Sequence, residues 1–132
     1  MKFEHDHIHL TTQDVDGLVR FYVDNFGADI VHVAETFGIK MVNLDAGGAK
    51  LRISNMTGVE RHASQETGKE VKPPEGFHHY GFLVENVDEA MAELARNGAG
   101  VEVEAEDASP TLRCGFMMLP GNVRVEIAQP LG

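Results

Sequence analysis

The second half of this chain repeats the first half at an offset of about 72 residues. His7 and His79 are 72 residues apart, and the residues that follow them continue in step. The run Lys-Leu-Arg-Ile at 50–53 has its counterpart, 74 residues later, in Arg-Val-Glu-Ile at 124–127. Such a repeat indicates that both halves form the same supersecondary unit. It limits the possible folds more firmly than the propensity of any single segment.

Each half is predicted to consist of one strand, one helix and three further strands. Asp14 and Asn86 are suited to cap the two helices, whose apolar residues recur at helical spacing. The predicted strands cover 4–10, 30–33, 41–44 and 49–54 in the first half, and 77–84, 101–104, 113–119 and 123–128 in the second. We therefore predict an α+β fold in which two βαβββ modules form a curved mixed sheet around a cavity.

The predicted domain organisation is a single domain, residues 1–132, built from two modules. Module one covers residues 1–56 and module two covers residues 77–132. Residues 57–76 are polar, lack a period and contain Pro73-Pro74, which is typical of a linker or a long loop. This linker is either a solvated connector or a flap over a site.

Composition and charge exclude several classes of partner. The formal net charge is −10, which argues against nucleic acid because phosphates require clustered lysine and arginine. No apolar run approaches the length of a membrane span, so we expect no membrane partner. The single cysteine, Cys114, cannot form an internal disulfide bond, which fits a cytoplasmic protein.

Three histidines alternate along the first strand. Because successive side chains of a strand point to opposite faces, His5, His7 and His9 share one face and the apolar Ile8 and Leu10 share the other. Since the apolar pair belongs to the core, the histidine face is expected to line a polar space. Such a row is a candidate surface for metal binding or proton transfer. The alternatives are an edge strand that happens to be rich in histidine and a cloning remnant.

The same alternation, applied to the repeat, selects four matched positions that face the cavity. These positions hold His7, Arg52, His79 and Glu126. Two imidazoles and one carboxylate are a ligand set for a divalent metal with open coordination positions. Without a metal, a hydrogen-bonded core histidine or an ion pair between Arg52 and Glu126 is the alternative. The substrate-binding residues predicted on the same faces are Arg52, Lys50 and Arg124.

Several motifs carry a family resemblance: His7-Ile8-His9-Leu10, Asp14, Phe21-Tyr22 and Phe26-Gly27-Ala28 in module one, and 78–82, 87–90, 119–122 and 125–127 in module two. Together they resemble the vicinal oxygen chelate superfamily. It includes glyoxalase I, methylmalonyl-CoA epimerase, extradiol dioxygenases and the bleomycin-resistance proteins. The resemblance implies a glyoxalase-like fold of paired βαβββ modules, usually a homodimer, with a metal in the concave face of the sheet.

The resemblance also implies roles for individual residues. His7, His79 and Glu126 match the first, third and fourth metal-ligand positions of the superfamily. The second ligand position differs from that of the superfamily, because strand alternation and the repeat place Arg52 there. A guanidinium cannot bind a cation. Arg52 is instead suited to hold a carboxylate or phosphate of the substrate beside the metal.

The sequence thus leaves three functional hypotheses open. The first is an enzyme that uses a divalent metal (Fe, Mn, Ni, Co or Zn) on a small anionic oxygenated substrate. It would work by enolisation, as a lyase or isomerase, or by Fe(II) oxygen chemistry, with His9 or His5 as the base. The second is a metal-free protein that sequesters a ligand, such as a cationic drug attracted by the acidic surface. The third is a fold with a vestigial site.

Overall fold

The computed structural model describes residues 2–132, which form eight strands and three helices. Contacts along the chain separate two compact units, which we call the N-terminal unit (His7–His78) and the C-terminal unit (residues up to Asp6 with His79–Gly132). The elements are β1 Glu4–Thr11, α1 Val15–Phe26, β2 Asp29–Thr36, β3 Ile39–Ala46, β4 Ala49–Ser54, α2 Gly58–Thr67, β5 Gly76–Leu83, α3 Val87–Arg96, β6 Gly100–Ser109, β7 Leu112–Leu119 and β8 Val123–Pro130.

The N-terminal unit contains the sheet of module one. Strand β4 pairs in parallel with β1 on one edge and antiparallel with β3 on the other, and β2 pairs antiparallel with β3. The predicted cap is present, because the Asp14 side chain accepts a hydrogen bond from the backbone N–H of Gly17. Helix α1 covers one face of these strands, and the buried core there is Val15, Val19, Ala28, Val42, Leu44, Leu51 and Ile53.

The C-terminal unit repeats this arrangement with its own core. Strand β8 pairs in parallel with β5 and antiparallel with β7, and β7 pairs antiparallel with β6. Asn86 caps α3 by accepting a hydrogen bond from the backbone N–H of Glu89. The buried core beneath α3 consists of Val84, Val87, Ala90, Met91, Met117, Val125 and Ile127. The predicted α+β class, with two βαβββ modules of the glyoxalase type and mixed strand pairing, is confirmed.

The predicted linker is wrong over half of its length, because residues 58–67 form helix α2. Thr57 caps this helix by accepting a hydrogen bond from the backbone N–H of Val59 at 3.2 Å. Thr57 and Glu60 have the spacing of a capping box, which is a helix-start signal that outweighs the polar composition here. Gly68 ends the helix in a left-handed conformation, with φ of 69°.

Strand alternation predicts the core face of β1 correctly. Ile8 and Leu10 pack against the core beneath α1, as expected for side chains opposite His7 and His9. Phe21 of α1 is 55% exposed, so this apolar residue of the helix does not belong to the core. Among the described residues, no helix is both long and apolar enough to cross a membrane.

Candidate functional site

His7 and His9 lie together in the N-terminal unit. Both are buried, at 4% and 5% exposure, on the face of β1 opposite the apolar core. Their ring centroids are 5.8 Å apart in an edge-to-face arrangement, and one ring nitrogen of each lies within 4.8 Å of the other's. The predicted metal ligand His7 therefore has a second imidazole beside it.

Strand β4 holds His9 in place through a hydroxyl. The Nε2 atom of His9 is 2.7 Å from Oγ of Ser54, whose hydroxyl donates to the carbonyl oxygen of Met56 at 2.7 Å. Burial, followed by the charges of His7 and other neighbours, lowers the pKa of His9 from 6.5 to about 2. A base with so low a pKa has little tendency to accept a proton at neutral pH, which is a physical objection to the predicted role of His9 as general base.

Arg52 occupies the middle of a row of three side chains in register. It pairs with His9 on β1 and with Asn43 on β3, so the three side chains share one face of the unit. The Nε–H of Arg52 donates to Oδ1 of Asn43 at 3.2 Å. This hydrogen bond fixes the Nε side of the guanidinium against β3, and the charge of Arg52 is one of the causes that lower the pKa of His9. Lys50, which was also predicted to bind substrate, is exposed.

A buried carboxylate that the sequence interpretation missed lies on α2. Glu60 is 5% exposed and accepts hydrogen bonds from Oγ1 of Thr57 at 2.5 Å and from Nε2 of His78 at 2.9 Å. Burial raises the pKa of Glu60, but these two hydrogen bonds outweigh it and bring that pKa below its ordinary value. The capping box at 57–60 could have revealed this residue had it been given more weight.

The C-terminal unit brings together the other two predicted ligands. His79 is 1% exposed, and its Nε2 atom is 3.9 Å from Oε1 of Glu126. The edge of the His79 ring meets the ring of Phe116, with centroids 5.2 Å apart. Two ligands of one divalent metal, with bonds of about 2 Å each, are separated by about 3 to 4 Å. The spacing of this pair therefore fits a shared metal ion.

Glu126 occupies the position in module two that corresponds to Arg52 in module one, in the middle of three residues in register. It pairs with Gly81 on β5 and with Phe116 on β7. Neither of these neighbours has a hydrogen-bonding side chain. The thiol of Cys114 also lies near the carboxylate, and burial, together with Glu126, raises its pKa to about 12. Cys114 is therefore a neutral thiol at neutral pH and a poor metal ligand.

The predicted base His5 is exposed, and the predicted substrate-binding residue Arg124 forms an ion pair. His5 is exposed, and its ring lies 5.9 Å from that of Phe82. The guanidinium of Arg124 forms two hydrogen bonds to the Glu102 carboxylate, at 2.6 Å and 2.9 Å. This ion pair within the C-terminal unit competes with any role of Arg124 in binding a substrate.

The donor chemistry of both units suits a transition metal. His7 and His9 supply imidazoles in one unit, and His79 and Glu126 supply an imidazole and a carboxylate in the other. Imidazole and carboxylate are ligands of Fe, Mn, Co, Ni and Zn. The residues present therefore fit the divalent metal that the sequence interpretation predicted.

One protein family matches nearly the whole chain. Residues 5–127 match the Glyoxalase/Bleomycin resistance protein/Dioxygenase superfamily. Among curated protein sequences, none matches this chain.

Several solved structures share the fold. A hypothetical protein from Bacillus halodurans C-125 has a TM-score of 0.70 and 20% identity, over 100% of this chain and 97% of that chain. Methylmalonyl-CoA epimerase from Mycobacterium tuberculosis has a TM-score of 0.67 and 20% identity, over 98% of this chain and 89% of that chain. A Streptomyces coelicolor methylmalonyl-CoA epimerase variant, in complex with 2-nitronate-propionyl-CoA, has a TM-score of 0.66 and 23% identity, over 98% of both chains. These identities establish a likeness of fold.

Proposed function

The chain belongs to the Glyoxalase/Bleomycin resistance protein/Dioxygenase superfamily, and from this premise we propose that it is a divalent-metal-dependent enzyme. Its substrate would be a small, anionic, oxygenated molecule. The observation that carries the proposal is the pair formed by the buried His79 and the half-buried Glu126, whose donor atoms are 3.9 Å apart. An imidazole and a carboxylate at this separation suit two ligands of one divalent metal.

The proposed ligands are His7, His79 and Glu126, at repeat-related positions of the two modules. When bound, the metal would polarise a carbonyl or hydroxyl oxygen of the substrate and stabilise the negative charge of an enolate. Open coordination positions would remain for the substrate, because these three ligands leave a divalent metal incompletely coordinated.

Arg52 is the proposed binding residue for the anionic group of the substrate. Asn43 accepts the Nε–H of Arg52, and this bond fixes the plane of the guanidinium. The two terminal nitrogens of an arginine held in this way can still grip a carboxylate or phosphate with two parallel hydrogen bonds. The net charge of −10 makes such a cation the more selective, because most of the surface repels anions.

Among the possible reactions, we favour proton transfer beside a carbonyl over oxygen insertion. Methylmalonyl-CoA epimerases recur among the structures that share this fold, and their substrate is a thioester that also carries a carboxylate. A thioester carbonyl suits the polarising metal, and a carboxylate suits Arg52. Of the two predicted bases we retain His5, because the lowered pKa of His9 disfavours protonation of that ring.

Metal analysis of protein purified under anaerobic conditions tests the metal. We expect about one Fe, Mn, Co, Ni or Zn ion per chain and its loss in His7→Ala, His79→Ala and Glu126→Gln. The control is His62→Ala, which removes a surface imidazole that pairs with Glu66 on α2. Full metal content in His79→Ala would refute the proposal. An unsubstituted chain that binds a cationic drug but no metal would favour the sequestering protein.

Isotope exchange tests the reaction. Metal-loaded protein in deuterated water is expected to exchange the proton beside the carbonyl of methylmalonyl-CoA or a similar carboxylated thioester, as followed by mass spectrometry. Arg52→Ala should slow this exchange by raising KM. Oxygen consumption with Fe(II) and a catechol, without any exchange, would assign the dioxygenase reaction instead.

We also propose that the protein forms a homodimer. The proposal is supported by five apolar side chains of α1 and β2 that are at least half exposed, which is typical of a protein interface. They are Phe21, Phe26, Ile30, Val31 and Val33. Sedimentation of the unsubstituted chain and of Val31→Lys tests it, with a dimer expected for the first and a monomer for the second.

A further inference from the structure

The two modules place their metal-binding side chains differently within equivalent rows. In module two, Gly81 on β5 is in register with Glu126 on β8, so the proposed metal-binding carboxylate comes from β8. In module one the equivalent pair is His9 and Arg52. The donor position of β4 is thus taken by a guanidinium, which cannot bind a metal, and its neighbour on β1 is an imidazole, which can.

We propose that His9 is an additional metal ligand beside His7, and that Ser54 positions it. This inference rests on the proposed function as a metal enzyme. The donor lost at Arg52 would thereby be restored one strand away, in the same row. His9 is 5% exposed and one of its ring nitrogens lies within 4.8 Å of one of His7. Both rings are on the face of β1 that carries no part of the apolar core.

The hydrogen bonds of Ser54 determine which nitrogen of His9 carries the lone pair. A serine hydroxyl has a single proton, and Ser54 donates it to the carbonyl oxygen of Met56 at 2.7 Å. In the contact of 2.7 Å with His9, Oγ of Ser54 is therefore the acceptor and Nε2–H of His9 is the donor. The neutral ring then has its basic lone pair on Nδ1. Histidines that bind metals are commonly held in this way, by a hydrogen bond from the other ring nitrogen.

The repeat supports a joint role for His9 and Ser54. The counterpart of His9 in module two is Gly81, and the counterpart of Ser54 is Ala128. Module two thus has neither the imidazole nor the hydroxyl that orients it, and in that module Glu126 supplies the donor. The pair occurs only where the row contains an arginine. Arg52 is hydrogen-bonded to Asn43 on β3, while His9 is hydrogen-bonded to Ser54 on β4.

Zinc affinity of the full chain tests the inference, measured by competition with a chelator. The substitutions His9→Gly and Ser54→Ala introduce the residues of module two. We expect His9→Gly to weaken Zn²⁺ binding by at least about 100-fold, and Ser54→Ala by about 10- to 100-fold, the usual effect of removing a group that orients a metal-binding histidine. His62→Ala, which removes an imidazole from α2, is the matched control and should bind Zn²⁺ as the unsubstituted chain does.

Nitrogen-15 spectra of the imidazoles give a second result that does not depend on activity. In the metal-free protein, His9 is expected to show the neutral form protonated at Nε2, and Ser54→Ala should mix the two neutral forms. Addition of Zn²⁺ should shift the Nδ1 resonance of His9. Unchanged Zn²⁺ affinity in both variants, with loss in His79→Ala, would overturn the inference and leave the proposed function standing. An unsubstituted chain that binds no Zn²⁺ or other divalent metal would overturn both.

Discussion

Two equivalent rows of side chains, one in each module, have opposite chemistry. In module one the row across β3, β4 and β1 is Asn43, Arg52 and His9. In module two the row across β7, β8 and β5 is Phe116, Glu126 and Gly81. The backbone positions are the same, so the difference lies entirely in the side chains.

One repeated fold can thus carry different side-chain chemistry at equivalent positions of its two copies. The row of module two contributes a carboxylate between a phenylalanine and a glycine, and a carboxylate is a common metal ligand. The row of module one contributes a guanidinium held by Asn43 and an imidazole held by Ser54. A cation and a metal donor in one row suit the proposed binding of an anionic substrate next to the metal.

The largest expected effect is a difference in Zn²⁺ affinity between substitutions of Glu126 and Arg52, the middle residues of the two rows. Glu126→Ala should weaken Zn²⁺ binding by more than about 100-fold, because it removes a proposed ligand, whereas Arg52→Ala should change it by less than about threefold. Chelator competition measures both. Equal effects of the two substitutions would mean that the rows do not differ in metal binding.

Helix α2 has no counterpart in module two, and its carboxylate Glu60 is expected to make the stability of the chain depend on pH. Glu60→Gln is expected to lower the free energy of unfolding at pH 7 by about 1–3 kcal/mol, because it weakens the buried hydrogen bonds with His78 and Thr57. The pKa of Glu60 in the folded chain lies below its unfolded value of 4.5. Its contribution is therefore complete above that pH and is lost as the pH falls through the folded pKa.

Urea unfolding at pH 7 and at pH 3 measures this effect. The stability difference between Glu60→Gln and the unsubstituted chain should shrink at the lower pH. Glu66→Gln, an exposed carboxylate on the same helix, is the control. A difference that stays constant between the two pH values would show that the carboxylate charge of Glu60 is unimportant.

A core position next to each row also differs between the modules, and this difference predicts a smaller effect on stability. Val42 of module one corresponds to Gly115 of module two, since they pair with Ile53 and Ile127 respectively. A Cβ atom at Gly115 would lie 2.5 Å from Sδ of Met91 and 2.9 Å from the carbonyl oxygen of Val103.

Gly115→Ala is therefore expected to destabilise the chain by about 1–2 kcal/mol, because the flexible methionine can move but the backbone oxygen cannot move freely. Thermal unfolding monitored by circular dichroism measures the loss. Gly100→Ala, at a strand position where a Cβ meets nothing within 4 Å, is the control. Stability equal to that of the control would show that module two has room for a Cβ atom at this position.

The smallest expected effect concerns the outer residue of the row in module one. Asn43→Ala should weaken the binding of malonate to the Zn²⁺-loaded protein by about threefold, which is the value of one ordinary hydrogen bond. Arg52→Ala should weaken it by more than 10-fold. Chemical shifts during a malonate titration report both, and an Asn43→Ala effect as large as that of Arg52→Ala would give Asn43 a direct contact with the anion.

The sequence was sufficient for the parts of the fold that depend on local pattern. The repeat and the alternation in β1 predicted both modules and placed His7 and His9 on the face away from the core. Helix α2 was missed because its only buried apolar residue is Val59, which leaves no apolar period to detect.

The candidate site was harder to predict, because its hydrogen bonds join segments far apart in the sequence. Alternation placed Arg124 beside Glu126, but it does not reveal that Glu102 on β6 binds the guanidinium. The contact of His9 with Ser54 likewise depends on the register between β1 and β4. Strand register is set by the tertiary structure, which a single sequence specifies only indirectly.

X-ray absorption spectroscopy of the Zn²⁺-loaded protein tests the central claim most directly, because it counts the imidazole ligands of the metal. We expect three imidazoles and one carboxylate in the unsubstituted chain, and two imidazoles in His9→Gly. Two imidazoles in both proteins would contradict a ligand on β1 beyond His7, and a metal bound without any imidazole would contradict the proposed site as a whole.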